Sequence, residues 1–315
     1  MIKQDIFGSD ARGRLESGAR DRLYSFILEA VNVRGALLHG TNLVREMRAN
    51  HGLDRLATML LGHGYLAAGL LSANLKGDDR IGIRVECDGP VKGLSVEANA
   101  LGEVRGFLFQ PGMDVPESFD GTDLSPLWGE GSLSLTRRPA GGGEPFVGRI
   151  ELGRGSLAIN LANYYLVSEQ TPTAFDLSVK FDKAGQVAGA GALFLQALPG
   201  AAAEALSELE QSLAGLPSIG SAFAAGIVPE DLLDGSFGKY FPSILESRRV
   251  EFFCRCSAES FKTFIAALPS DELDELAGNG PFPLVTICHN CGSSYEMTRA
   301  ELRELLDRRR GSNPG

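Results

Sequence analysis

Long apolar runs are missing from this chain: nothing approaches the roughly 18 uninterrupted apolar residues of a membrane-spanning helix, and the opening MIKQDIFGSDARGRLESGARDRL has no apolar core of a secretory signal. The expectation is a cytoplasmic protein. Positive charge is also short, with 30 Lys and Arg against 40 Asp and Glu for a net −10, which argues against attraction to nucleic-acid phosphates or anionic lipid. No nucleic-acid partner and no membrane partner are expected. Histidine is down to four copies, His39, His51, His63 and His289, and none sits in a recognisable catalytic motif. GxSxG, GxxxxGK[ST] and HExxH are all absent, and Gly189-Ala-Gly191 lacks the third glycine of a dinucleotide loop. These absences point away from an enzyme and away from ATP. The hydroxyl-rich stretch SEQTPT (168–173) has no base marked for it, so it is read as a turn before a strand.

Cysteine is scarce as well, five in 315 residues, but four are gathered near the end as Cys254-Arg-Cys256 and Cys288-His-Asn-Cys291. Two short pairs joined by a loop can supply the tetrahedron of soft ligands that Zn²⁺ favours, with Zn–S near ~2.3 Å. In an extended RVEFFCRC, Val250, Phe252, Cys254 and Cys256 share one face, so both sulfurs of the CxC can meet one ion. The same closeness lets each pair close on itself as a disulfide. In a reducing compartment such pairs indicate metal binding or redox chemistry, and the residues alone leave a static clamp and a redox switch both open. His289 lies between two of the cysteines but is not needed where four thiolates are present. Arg255 either favours thiolate beside it or is solvated on the opposite strand face. Cys87, inside a strand-like apolar run, is read as inert.

Hydrophobic residues make up 43% of the chain, enough to fill a large core. The pattern is α+β: a large N-terminal mixed sheet-and-helix domain over 1–200, a helical linker over 201–248, and a small C-terminal zinc-binding domain over 249–315. Residues 22–38 read as one strand or a bent pair, TNLVREMRANHG as a helix with Thr41 as N-cap and Gly52 as stop, and the leucine-rich segment from Leu53 as a buried helix. RIGIRVECDGPVKGLSVEANALGEVRGFLFQP reads as an antiparallel meander, and FDLSVKF and VAGAGALFLQAL as further strands. After Pro199-Gly200 the linker carries Leu206, Leu209, Leu213 and Leu216 on one helical stripe, with no strand pattern of its own expected before the cysteines. In the last segment Ser257 and Ser270 are expected helix caps, Thr298-Arg-Ala-Glu301 a capping box, and Arg308-Arg309-Arg310 a solvated helix end.

These residues resemble a known family, the redox-regulated heat-shock chaperones of about thirty-three kilodaltons. The likeness is carried by LLHGTNLVREMRANHGLDRLATMLLGHGYLAAGLLSANLKGDDR, by DGPVKGLSVEANALGEVRGF, by PFVGRIELGRGSLAINLANYYLVSEQTPTAFDLSV with its SEQxPT core, and by VEFFCRC with TICHNCGSSYEM. The resemblance implies an ATP-independent holdase for unfolding and oxidatively damaged clients under stress, inactive when reduced and zinc-bound. It implies one Zn²⁺ on Cys254, Cys256, Cys288 and Cys291, and on oxidation the disulfides Cys254–Cys256 and Cys288–Cys291. It allows a homodimer on oxidation. Loss of the ion would melt the C-terminal domain and free the linker, so Leu206, Leu209, Leu213 and Leu216 are candidate client-binding residues. The competing expectation is a redox-inert zinc-ribbon adaptor that binds one fixed partner.

Overall fold

A computed structural model describes residues 1–6, 21–115 and 123–311. Strands β1 (Arg22–Leu28) and β2 (Val33–His39) are a bent pair joined by a single 3-10 turn, as their β-branched and aromatic content predicts. Helices α1 (Thr41–His51) and α2 (Arg55–Leu71) follow. The meander comprises β3 (Arg80–Cys87), β4 (Gly93–Asn99) and β5 (Glu103–Leu108), and β6 (Gly131–Arg138) and β7 (Phe146–Glu151) extend it. Helix α3 (Leu157–Val167) leads to β8 (Thr173–Phe181) and β9 (Val187–Ala197). The linker region holds α4 (Ala203–Ala214), α5 (Ile219–Ala224), α6 (Pro229–Phe237) and then β10 (Pro242–Arg249). Beyond it lie β11 (Glu251–Phe252), α7 (Ala258–Ala266), α8 (Ser270–Asn279), β12 (Leu284–Ile287), β13 (Ser294–Met297) and α9 (Arg299–Gly311).

Two sheets enclose α2. One is antiparallel in the order β10-β1-β2-β9-β8; the other runs β11-β5-β4-β3-β6-β7, antiparallel except for the parallel β11–β5 contact. Helix α2 is apolar almost all round and is buried almost all round, as such a helix must be. The segment Arg55–Asn74 meets the length and apolarity of a membrane span, yet 78% of it is inside the fold. The first sheet is covered on both faces, and its alternation divides the core in two. Leu23, Ala36, Leu38, Ala192 and Phe194 face α2 in one cluster. Tyr24, Phe26, Leu28, Leu37, Leu193 and Leu195 face the linker helices in another, meeting Leu209, Ile219, Phe223, Leu233 and Phe237.

Several local expectations are corrected. The linker region does contain a strand: β10 pairs along the whole of β1, from Arg22 opposite Arg249 to Leu28 opposite Pro242. Its sequence, PSILESRR, is polar because it is an exposed edge, and so carries little strand signal. Thr41 is the first helical residue and not the cap; its hydroxyl accepts from the Ala190 amide at 3.0 Å. The α1 amide of Leu43 is received instead by the buried Asp21 carboxylate, 2.6 Å away, which also lies 3.1 Å from His39 Nδ1. Burial is the main influence on Asp21, raising its pKa, with the His39 hydrogen bond opposing it. Gly52 does end α1, in the left-handed region at φ 62°. Ser270 lies inside α8 and caps nothing, whereas Ser257 accepts from the Ser260 amide at 3.1 Å. The Thr298–Glu301 box closes in both directions, at 2.8 and 3.3 Å.

Arg309 is not simply solvated. It donates to the carbonyls of Ala266 and Leu268 and ties α9 to the end of α7, while Arg308 pairs with Glu304 at 2.6 Å. The side chain of Arg310 lies outside the described residues. The SEQTPT stretch is the turn it was read as, with Glu169 3.4 Å from both Arg137 and the Tyr164 hydroxyl.

The leucine stripe docks on the first sheet through Leu209, 3% exposed, with Leu206, Leu213 and Leu216 half-buried around it. Leu209→Ala is expected to weaken that docking by about 2–3 kcal/mol and to speed amide exchange across α4 selectively. Exposed Ser207→Ala should leave it unchanged, and equal exchange in the two variants would mean that the stripe contributes no docking energy.

Candidate metal centre

The CxC arrives on an extended segment that leaves β10 and joins the edge of the second sheet. Val250 donates to the Asp21 carbonyl at 3.1 Å, Glu251 to the Gly102 carbonyl at 2.9 Å and Phe253 to the Val104 carbonyl at 3.0 Å. The regular ladder is only two residues long, but the alternation read from RVEFFCRC holds, with Val250, Phe252 and Cys254 inside and Arg255 outside. The CxxC follows β12 as a tight knuckle. Cys291 and Gly292 both donate to the Cys288 carbonyl, at 3.2 and 2.8 Å, and the Cys288 amide donates to the Ser293 carbonyl at 2.9 Å. Gly292 sits at φ +69°, and a Cβ there would lie 2.3 Å from the Asn50 carbonyl oxygen, so only glycine fits.

The four sulfurs of Cys254, Cys256, Cys288 and Cys291 lie within 4.8 Å of one another. Cys254 Sγ is 3.8 Å from Cys288 Sγ, and Cys256 Sγ is 3.3 Å from Cys291 Sγ. A tetrahedron with metal–sulfur bonds near ~2.3 Å has edges of about 3.8 Å, so the cluster is sized for one ion. Cys254, Cys288 and Cys291 are buried and belong to the main core. The knuckle is held down by the N-terminal domain: the Gly106 amide donates to the Asn290 carbonyl at 3.1 Å, and Asn50 Nδ2 donates to the Cys291 carbonyl at 3.0 Å. The buried Tyr65 hydroxyl bonds the Gly106 carbonyl at 2.9 Å.

Charge is unevenly shared among the sulfurs. The Cys288 and Cys291 thiols, together with the Arg105 guanidinium at 3.6 Å, hold the Cys254 thiol well below its ordinary range. Against that thiolate Cys288 is pushed up, and Cys291 is pushed up to about 11. Four thiolates packed this closely need a multivalent cation, and with one present all four can shed their protons. The arrangement can therefore hold a metal ion, or, without one, present thiols close enough to be oxidised.

Arg105, not Arg255, is the arginine at the sulfurs. It is fixed by Glu97 through Nε at 2.7 Å, while Arg255 is turned outward in a pair with Glu103 at 2.6 Å. Tyr295 and Ser293 also touch sulfur, each at 3.2 Å, on Cys256 and Cys291 respectively. Sequence reading passed over these three; only the [ST]-x-Tyr that follows the knuckle was a local cue. His289 is exposed and packs its ring 5.4 Å from that of Phe107, outside the sulfur cluster. Cys87 is half-buried at the end of β3, and burial pushes its thiol up to about 11. Leu206, Leu209, Leu213 and Leu216 lie on the first sheet, in a different core cluster from the cysteines.

An α+β protein in which two cysteine pairs from separate chain segments meet in one cluster is a protein that can hold a metal ion there. The family model described as Hsp33 protein matches residues 21–298, and the chain belongs to that family. A 33 kDa chaperonin of Desulforamulus reducens is 36% identical over 290 residues, covering 92% of this chain and 98% of that protein. The 33 kDa chaperonin of Bacillus cytotoxicus is 30% identical, covering 87% and 94%. Among solved structures, the 33 kDa chaperonin (heat shock protein 33 homolog) of Thermotoga maritima superposes with a TM-score of 0.82 at 28% identity, over 93% of this chain and 99% of that one. Membership of this family supports a chaperone role.

The Arg105 contact carries a pH prediction. A guanidinium that lowers the Cys254 pKa keeps protons from competing with an ion until the pH is low. In Arg105→Gln that pKa rises, so the midpoint of acid release of a bound ion should move to higher pH, by about half a unit. An unchanged midpoint in a chelator-coupled titration would reduce Arg105 to a packing partner.

Proposed function

We propose that this protein is an ATP-independent holdase of the cytosol, held inactive by a reduced zinc centre and activated when oxidation removes that centre. Cys254, Cys256, Cys288 and Cys291 are the proposed ligands. Bound zinc supplies charge balance for four thiolates and folding free energy for the C-terminal module. The observation that carries the reading is where the cluster sits: its first cysteine lies five residues after β10, the strand that closes the linker onto the first sheet.

On oxidation each pair of thiolates gives two electrons to a peroxide, whose O–O bond breaks, and the new S–S bonds leave no thiolate ligand. The proposed bridges are Cys254–Cys256 and Cys288–Cys291. In the folded site Cys254 lies 3.8 Å from Cys288 and Cys256 3.3 Å from Cys291, so contacts across the pairs compete with neighbour bridges, and the neighbour bridges are favoured once the knuckle and the CxC arm separate. Such separation is how loss of the site reaches the linker. A groove of about 350 Å³, open to solvent, lies among Leu193, Leu195, Leu213, Leu216 and Ile219 at the edge of the stripe. Release of α4 would present Leu206, Leu209, Leu213 and Leu216 to unfolding clients.

Reduced protein is expected to hold one zinc per chain, and Cys254→Ser with Cys288→Ser to abolish it; tight stoichiometric zinc in that double variant would show the ligand assignment to be wrong. Peroxide with mild heat should suppress aggregation of an unfolding client without ATP, and reductant with zinc should reverse this. Protection that is the same before and after peroxide favours a redox-inert adaptor. Peptide mapping should return the two neighbour bridges with Cys87 free. Mainly Cys254–Cys288 or Cys256–Cys291 would mean that oxidation is completed inside the folded site.

A further inference from the structure

The matched family region begins at residue 21, yet the first residues of this chain lie directly on the cysteine centre. The Met1 nitrogen donates to the Cys256 carbonyl at 2.7 Å, and the Met1 thioether sulfur accepts the Cys254 amide at 3.0 Å. Ile2 exchanges hydrogen bonds with the Ser293 hydroxyl, at 2.9 and 3.1 Å. Asn50, which also holds the Cys291 carbonyl, accepts from the Gln4 amide and donates to the Ile2 carbonyl, both at 2.8 Å. Lys3 pairs with Glu46 at 2.7 Å. Residues 1–4 therefore bind both cysteine arms at once, bridging CxC and CxxC.

We propose that Met1 is a second oxidation site of this protein and that residues 1–4 are a strap across the centre which sulfoxide formation releases. This rests on the reading of the cysteines as an oxidant-responsive metal site. The step is a two-electron oxidation: the thioether sulfur attacks one oxygen of hydrogen peroxide, the O–O bond breaks, an S–O bond forms and the other oxygen leaves as water. Met1 is half-buried, as is Cys256, whereas Cys254, Cys288 and Cys291 are buried, so an oxidant reaches Met1 more easily than the buried partner that any disulfide of Cys256 needs. The sulfoxide cannot stay in place. At 3.0 Å there is no room for an oxygen between the sulfur and the Cys254 amide, and the apolar side chain packed against the core becomes a polar one. Losing the Met1 anchor frees the CxC arm from Ser293 and Asn50, and the centre then opens more readily. Met1 oxidation precedes and accelerates disulfide formation.

The test follows zinc-loaded full-length protein under hydrogen peroxide by three readouts: Met1 sulfoxide by peptide mapping, amide exchange at Ile2 and Gln4, and zinc release to a coloured chelator. Sulfoxide and fast exchange at Ile2 and Gln4 are expected to rise together, ahead of zinc release. Met1→Leu, made behind a cleavable leader so that position 1 can vary, keeps the volume without the oxidisable sulfur; it should keep the strap docked and slow peroxide-driven release roughly threefold. Lys3→Glu sets a carboxylate against Glu46 and should undock the strap without oxidant, speeding release roughly fivefold, with Glu46→Lys restoring most of the difference. Release from Met1→Leu at the wild-type rate, or wild-type exchange at Ile2 and Gln4 in Lys3→Glu, overturns the proposal. Reduced protein without zinc overturns the metal reading instead, and exchange at Ile2 and Gln4 still decides whether the strap exists.

Discussion

The passage of the chain from one sheet to the other at residues 249–256 is the constraint on which the rest depends. Strand β10 ends on the edge of the first sheet, and within two residues the same backbone is on the edge of the second, pairing with β5. Gly102 makes room for the crossing, since a Cβ there would lie 2.2 Å from the Arg249 carbonyl oxygen. Arg248 secures it by donating to the Ala100 carbonyl at 2.9 Å and to that of Ser72. A segment so short can sit correctly only if both of its ends are held. The first sheet holds one end, and the cysteine centre holds the other.

Burial and charge show what an ion would add at the second hold. The C-terminal module has a small core of its own, Ile265, Leu273, Ala277, Met297, Leu302 and Leu306. Modules of about 60 residues with so little buried apolar surface depend on staples such as disulfides or metals. Phe264 on α7 is 70% exposed, so its ring adds little to that core. Where apolar packing is thin, the proposed ion on four sulfurs would contribute the missing free energy, and that contribution would depend on the sulfurs staying reduced.

The linker is the natural receiver of such a change. Helix α4 is short for independent stability, and its burial comes from one stripe beside an open groove. It lies on the first sheet, whose edge strand β10 leads on to the centre. In the proposed switch, a free-energy change at the sulfurs would reach the leucines through one strand of backbone pairing, without any long-range wire.

Much of this was legible in order along the chain. The α+β class, the buried α2, the meander, the capping box at Thr298 and Glu301, and the cysteine spacing are properties of periodicity and local chemistry, which neighbouring residues carry within a few positions. What was not legible depends on residues far apart in sequence. Strand β10 reads as polar linker because an edge strand buries little, and only its pairing with β1 reveals it. Thr41 looks like a cap, but the amide it would serve is taken by Asp21, twenty residues earlier. Arg255 looks like the arginine of the CxC, but alternation along the strand turns it outward, and Arg105 from β5 takes its place at the sulfur. The sequence determined that four thiolates would meet, because two short pairs set their own local geometry. Which charges and backbone groups surround them was decided mainly by the tertiary fold, because those contacts join residues 149 to 291 positions apart that no local pattern relates.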